Sequence, residues 1–175
     1  MMPPRLDTER LVLRGFRADD LAPVSAFFAD PEATRFVGGV ASAPRAHTIL
    51  SAFAGHWALF GLGQWAVEEK ASGALAGFVG HIDPPDWPEP EIGWTIFPAF
   101  QRRGYASEAS RAARAEITRL GGPARIVSYI DRANAPSIRV AEKLGAAAEG
   151  EVTLRGERLM VWRHPDAASD LGGVQ

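Results

Sequence analysis

Gln101-Arg102-Arg103-Gly104-Tyr105-Ala106 sets two guanidinium groups and a glycine between two patterned segments. Before it runs an apolar stretch, Glu91-Ile92-Gly93-Trp94-Thr95-Ile96; after it the pattern predicts a helix from about Arg103 to Leu120. Strand, short basic loop, helix is an order that builds an anion site. The first turn of a helix carries N–H groups with no intrahelical acceptor and the positive end of the macrodipole. Gly104 lets backbone approach a bound group, and Arg102 and Arg103 add charge. Such a site suits phosphate or pyrophosphate. The loop lacks the Lys-Ser/Thr pair of a Walker A motif and the three spaced glycines of a dinucleotide fingerprint.

Other residues offer acid–base chemistry. Glu91 opens the apolar strand. If Ile92, Trp94 and Ile96 face the core, then Glu91, Gly93 and Thr95 face the other way, and Gly93 leaves space there for a substrate. A carboxylate serving as base near pH 7 needs its pKa raised by partial burial; the plainer reading is an exposed glutamate at a strand end. Ser137 sits in the first turn of the helix that Asn134 caps, where its hydroxyl could serve as an acid or simply bond to backbone. His47, His56, His81 and His164 lack paired ligand spacing, so no metal is expected. His81, ending a strand beside a loop, reads as a strand-end residue within reach of a substrate. Glu108 suits the helix dipole and is assigned no catalysis.

These groups must be positioned by a single domain, which 175 residues fit, reading as residues 1–175 with a core of about 8–163 and a tail over 164–175. Thr8 to Arg14 alternates as a half-buried strand. Asp19-Asp20 can cap a helix over Leu21, Val24, Phe27 and Phe28 that stops near Asp30-Pro31. Ser42 caps a second, whose Ile49, Leu50, Phe53, Trp57 and Phe60 share one apolar face. Gln64 to Glu69 and Ala74 to Ile82 read as a hairpin. Four prolines within Asp83 to Pro90 forbid regular structure. Arg125 to Ile130 is a strand, Gly145 ends the Asn134 helix, and Glu151 to Leu154 with Arg158 to Arg163 form a closing hairpin. The chain has no cysteine, hence no disulfide, thiolate metal site or cysteine nucleophile, and suits a reducing cytoplasm. Its net charge of −2 argues against a general nucleic-acid binder or a polybasic membrane anchor. No run approaches the ~18 apolar residues of a membrane helix.

Three segments resemble the GCN5-related N-acetyltransferases. The loop, with Gln101, Gly104 and Ala106, resembles that family's acetyl-CoA motif, Gln/Arg-x-x-Gly-x-Gly/Ala. Asn134-Ala135-Pro136-Ser137 followed by Lys143-Leu144-Gly145 is similar to the helix flanking the cofactor's pantetheine arm. Thr8-Glu9-Arg10-Leu11-Val12-Leu13-Arg14 looks like the first strand of the branch that includes ribosomal-protein-serine/alanine N-acetyltransferases. The resemblance implies an α+β (mixed α/β) fold, with a mixed, mostly antiparallel, V-splayed sheet of about seven strands and about four helices.

It further implies that Gln101, Arg102, Arg103, Gly104, Tyr105 and Ala106 hold the pyrophosphate. Backbone groups of Trp94, Thr95 and Ile96 would meet the pantetheine amides, one N–H doubling as an oxyanion donor, with Asn134 beside the thiol. Glu91 matches a strand glutamate used as base; Glu151 and Glu157 are secondary candidates. Many relatives carry an acid tyrosine seven positions after the asparagine, and here that position is Ala141, which leaves Ser137 as the nearest hydroxyl. The expected protein is a cytoplasmic, bacterial-type N-acetyltransferase that transfers acetyl from acetyl-CoA directly to a primary amine in a ternary complex. A peptide N-terminus and a small amine, amino acid or antibiotic stay open as acceptors, with Phe36, Val37, Gly38, Gly39, Trp57, Phe60, Trp65 and Trp87 available to shape a pocket. A non-catalytic acyl-CoA-binding domain is the reading from another class. A homodimer is in keeping with the family.

Overall fold

The computed structural model describes residues 2–166. Eight strands, β1 (Leu6–Asp7), β2 (Leu11–Arg14), β3 (Gln64–Glu69), β4 (Leu75–Ile82), β5 (Glu91–Ile96), β6 (Val127–Ile130), β7 (Ala147–Leu154) and β8 (Glu157–Arg163), form one sheet in the order β1-β2-β3-β4-β5-β6-β8-β7. All neighbours are antiparallel except β5 and β6. Five α-helices are present among the described residues: α1 (Leu21–Ala29), α2 (Pro31–Thr34), α3 (Ala43–Phe60), α4 (Tyr105–Arg119) and α5 (Ala135–Lys143). The sheet therefore has one strand more than the expected seven, and the helices number one more than four. The additions are short. Residues 8–14, read as one strand, turn back on β1, with Thr8 N–H donating to Leu11 O at 3.0 Å. Asp30, read as a stop, instead caps α2 by accepting from the N–H groups of Glu32 and Ala33.

Alternation along the strands sorts side chains onto two faces. Trp65, Val67, Val79, Ile92 and Ile96 pack under α4, against Tyr105, Ala109, Ala113 and Ile117. Ala66, Phe78 and Phe97 pack on the other face with Val24, Phe27, Phe28 and Leu50 from α1 and α3. Phe27 stacks on Phe97 with centroids 4.8 Å apart. Each large apolar side chain buried here is worth about 1.5–3 kcal/mol. α3 is capped as its sequence predicts, by Ser42 Oγ and by Gly61 at φ 73°. Its apolar face fails at the last turn, where Phe60 is 67% exposed. Trp57 and Trp65 are fully buried, edge to face at 4.5 Å, so neither lines a pocket.

Two boundaries in the C-terminal part differ from expectation. β7 begins at Ala147, four residues before Glu151, and its irregular register between Ala148 and Gly150 obscures the alternation. His164, expected to start the tail, is buried, and its N–H donates to Ile126 O at 3.1 Å. Tail residues after Asp166 lie outside the described residues.

A buried ion pair ties the first strands to α1. Arg14 donates to Asp20 through Nη1 and Nη2, both at 2.8 Å, and to Glu68 through Nε at 2.7 Å. The Arg14 side chain is only 8% exposed, so losing a counter-charge is costly. Asp20→Ala should destabilise the fold by about 3 kcal/mol, read as a lower urea midpoint at unchanged slope; a loss below about 1 kcal/mol would mean that Glu68 alone satisfies Arg14.

Candidate active site

The basic loop lies where the sequence predicts, between β5 and α4, through a 3-10 turn at Pro98–Phe100. Gly104 precedes α4 at φ 82° and Arg102 also has positive φ, 64°. Gly104 O accepts from Glu108 N at 3.1 Å, so the first turn of a 15-residue helix starts from the loop itself. A Cβ on Gly104 would meet only Arg10 Nη2, at 3.4 Å. Here glycine is required by backbone conformation.

Two carboxylates brace this loop from behind. Glu69 accepts from Arg103 Nη1 at 2.8 Å, Tyr105 Oη at 2.7 Å and Ser72 Oγ at 2.7 Å. Glu108 accepts from Thr8 Oγ1 at 2.6 Å, Arg10 N at 2.9 Å and Arg10 Nε at 2.8 Å, while Arg10 Nη1 donates to Arg103 O. The Tyr105 hydroxyl, with Ser72 and Arg103, holds Glu69 below the usual carboxylate range. Burial would raise Glu108, but Thr8 and Arg10 bring it below that range too. Arg103 is thus committed to Glu69, to Ala99 O and to the Phe100 ring, and its carbonyl to Arg10, leaving only its backbone N–H for a ligand. Arg102 is exposed. Arg10 and Glu69 were not singled out in the sequence, and Glu108 does more than suit a dipole. The contacts of Glu69 with Arg103 and Tyr105, of Glu108 with Thr8 and of Arg10 with Arg103 span some 34 to 100 residues, with no local signal.

Beside the loop the sheet opens. β5 and β6 share a single register pair, Glu91 with Val127. Val127 N–H donates to Pro90 O at 3.0 Å, and Ser128 Oγ donates to Ile92 O at 2.6 Å. Backbone groups of alternate strand residues point to opposite edges. Phe97 N–H donates to Ala76 O, and Thr95 O lies against Gly77, so residues 93, 95 and 97 face β4. Residues 92, 94 and 96 face β6. Ile92 O is taken by Ser128 and Ile96 O by Gln101 Nε2 at 2.9 Å. The Trp94 N–H and C=O and the Ile96 N–H therefore face the gap. Thr95 departs from expectation, because its backbone is turned to β4. Since β5 and β6 are parallel, the helices that follow them start at the same end, placing Gly104 and Asn134 on either side of the opening.

Asn134 caps α5, its Oδ1 accepting from Ser137 N at 3.3 Å. Ser137 contributes its N–H to that cap, and its hydroxyl has no hydrogen-bond partner within the described residues, so the backbone bond considered for it is not made. Ala141 is fully buried with Ile130, Ala146 and Trp162, a hydrocarbon environment that Trp94 abuts.

Glu91 is buried at the closed end of the gap. Its Oε2 accepts from Trp87 Nε1 at 2.7 Å and its Oε1 from Tyr129 N at 3.2 Å. Burial raises its pKa to about 7, against the pull of those two N–H groups. Trp87 is held in turn. Arg155 lies over its ring at 4.6 Å and grips Asp86 at 2.8 and 3.0 Å. Arg155 and Gly156, both at positive φ, form the two-residue turn between β7 and β8. The proline-rich loop is therefore a cover over Glu91. The space expected above Gly93 is taken, since a Cβ there would stand 2.7 Å from Ile82 Cδ1. Glu151 is a poor base: burial would raise it, but ion pairs with Arg132 and Arg158 bring it below the usual range. Glu157 is exposed at the hairpin turn. His164, passed over in the sequence, braces the closed end: its Nε2 lies 2.9 Å from Ser128 Oγ, and burial lowers its pKa to about 4.

A splayed sheet with a basic, helix-starting loop at its open end and a buried carboxylate at its closed end is the layout expected of the family that the sequence resembles. Residues 10–147 match the acetyltransferase (GNAT) domain family, and the chain belongs to it. It is 31% identical over 153 residues to an uncharacterised N-acetyltransferase, YoaA, of Bacillus subtilis (strain 168), a match covering 85% of this chain and 86% of that one. The crystal structure of an acetyltransferase from Agrobacterium tumefaciens (str. C58) is similar at a TM-score of 0.84 and 30% identity, covering 95% of this chain and 96% of that one. A ribosomal-protein-S5-alanine acetyltransferase from Vibrio fischeri shares the fold, with a TM-score of 0.76 at 14% identity over 94% of this chain and 98% of that one.

Glu91 and His164 give opposite signatures in stability. Between its ordinary value of 4.5 and its folded value of about 7, Glu91 keeps in the fold a proton that the unfolded chain has lost, so stability falls as pH rises. His164, at about 4 in the fold against an ordinary 6.5, makes stability rise over that window, and His81, also lowered by burial, adds to it. Glu91→Gln should unmask the rising slope, up to about 1.4 kcal/mol per pH unit for His164, with His81 adding in the same direction. Urea unfolding from pH 4.5 to 7.5 tests this; a curve parallel to wild type would show that Glu91 is already ionised in the fold.

Proposed function

We propose that the chain transfers an acetyl group from acetyl-CoA to a primary amine, with Glu91 as general base. The observation that carries this reading is the buried Glu91 carboxyl at the closed end of a gap whose open end is flanked by the starts of α4 and α5. The residues fit acetyl-CoA: the N-terminal turn of α4 suits its pyrophosphate, and the Trp94 and Ile96 backbone groups facing the gap suit the amides of its pantetheine arm. When bound, acetyl-CoA supplies the activated thioester. Backbone N–H groups of Arg102 to Ala106 would hold the phosphates, with the Arg102 side chain adding charge and Gln101 shaping the turn. Asn134 and Ser137 would border the pantetheine arm from α5.

Glu91 takes the proton that a protonated amine must lose before it can attack. A pKa of about 7 suits that exchange at neutral pH. Each carboxylate oxygen has a second lone pair, so a proton can be accepted while the Trp87 and Tyr129 N–H groups stay bonded. Ser137 is the hydroxyl available as acid toward the departing thiolate, in place of the tyrosine that Ala141 excludes. No covalent intermediate on the protein is needed, and positioning supplies much of the acceleration. The acceptor class follows from chemistry alone: an amine small enough, or a peptide N-terminus slender enough, to reach Glu91 past Trp87. The chain would work in the cytoplasm, where acetyl-CoA is made.

Gly104→Glu puts a carboxylate at the pyrophosphate position and an L side chain at positive φ. Calorimetric titration should then show no acetyl-CoA binding while a cooperative thermal transition is retained; unchanged affinity would remove the loop from the cofactor site. Glu91→Gln should lower kcat about 10²- to 10⁴-fold, leave acetyl-CoA affinity nearly unchanged and abolish the acid limb near pH 7. Release of free thiol with an amine panel, peptides included, measures this. Equal pH profiles for the two proteins would exclude Glu91 as base, and saturable acetyl-CoA binding with no turnover on any amine would favour a binding domain.

A further inference from the structure

The sheet has a second concave site, on the face away from Glu91. His81 is paired in register with Ile92, and Ile82 with Glu91. Directly paired residues share a face, so His81 lies on the α4 side with Ile92. There a cavity of about 410 Å³ opens between the end of α3, the loop after β4 and the turn at Gly121–Pro123 that follows α4.

Its polar lining has one chemical character. His81 is 7% exposed, and its Nδ1 is buried with no hydrogen-bond partner. Its Nε2 stands 3.9 Å from Asp83 Oδ2, which favours the N–H on Nε2 and a lone pair on Nδ1. His56 Nδ1 lies 2.6 Å from Leu62 O. A carbonyl only accepts, so Nδ1 carries the proton and Nε2 is an acceptor. The nearby backbone donors are used: Gly121 N–H bonds Thr118 O at 3.0 Å and Gly122 N–H bonds Ile117 O at 2.9 Å. Burial lowers the His81 pKa, so that ring is neutral and keeps its lone pair. The lining thus offers the His56 Nε2 acceptor and the Asp83 carboxylate, with the unpartnered His81 Nδ1 buried behind them; it contains no lysine or arginine and is walled by Phe60, Leu62, Pro85 and Pro90. The described residues contain no set of three side chains placed to hold a metal ion. Phe60, 67% exposed and 4.5 Å from the His56 ring, supplies an aromatic face at the rim.

We propose that this cavity is a second ligand site, which binds a primary ammonium group carried on a small apolar body. The ammonium has three donors, which the Asp83 carboxylate and His56 Nε2 can accept. Asp83 balances its charge, and Phe60 offers a cation–π face. Glu91 is not among the residues that line this cavity, so an amine held here is bound without that base and is not acetylated. Its occupation is independent of acetyl transfer and needs no acetyl-CoA.

Phenethylamine is a suitable probe, with 2-phenylethanol as the uncharged control of similar shape. Titrated into the full chain without acetyl-CoA, the amine should saturate one site, shift the His81 imidazole and Gly122 amide NMR signals, and bind at least tenfold more tightly than the alcohol. Asp83→Asn, at a half-exposed position that leaves the core intact, should reduce that preference several-fold. Equal binding of amine and alcohol would overturn the proposal, as would an absence of saturation. So would shifts at Trp87 and Gly93 in place of His81, which would put the amine on the Glu91 side.

Discussion

Everything functional in this chain depends on β5 and β6 parting company. They are parallel neighbours held by one register pair, by Val127 N–H on Pro90 O and by Ser128 Oγ on Ile92 O. Beyond that point each strand shows an unpaired edge to the other. An open edge inside a domain leaves strong donors and acceptors unsatisfied unless something occupies it. Here Gln101 takes one carbonyl and the remainder faces the gap. Parallel pairing has a second consequence: it brings the beginnings of α4 and α5 to the same end. The splay thus creates the slot and, with it, the two helix starts that border the slot.

Electrostatics divides the carboxylates by task. Glu69 and Glu108 each accept several bonds, arginine among the donors, and stay below the ordinary range. They are braces, and a permanent negative charge behind the basic loop is what keeps Arg10 and Arg103 in place. Glu91 is the same residue type in another setting. It receives two uncharged N–H groups and is otherwise enclosed, so burial prevails and its pKa rises to about 7. The enclosure joins a near neighbour, Trp87 of the proline-rich loop, to distant parts of the chain, Tyr129 from β6 and Arg155 from the last hairpin.

Much of this organisation is legible in the sequence. The Gly104 turn, the Ser42 and Asn134 caps and the face assignment of Ile92, Trp94 and Ile96 follow from local rules, because each is set by neighbours within a few residues. Local rules also mislead in identifiable places. Phe60 keeps helical spacing but is exposed. Asp30-Pro31 reads as a stop, yet starts another turn of helix. The irregular register at Ala148 and Gly150 hides half of β7. Gly93 looks like a vacancy until Ile82 is placed beside it. Each miss is a case in which packing or a register shift overrides the periodic pattern.

The sequence by itself determined the glycine turn before α4, the order of the main elements, the glutamate that opens β5 and the missing tyrosine at Ala141. These are properties of backbone conformation and one-dimensional spacing. Only the tertiary structure decided that Glu91 is buried and braced, that Arg103 is tied to Glu69 while Arg102 is exposed, that Thr95 turns its backbone to β4, and that His164 closes the base of the splay beside Ser128. Those outcomes depend on contacts between residues as much as 100 positions apart and on the removal of water, and neither is written in any local stretch of the chain.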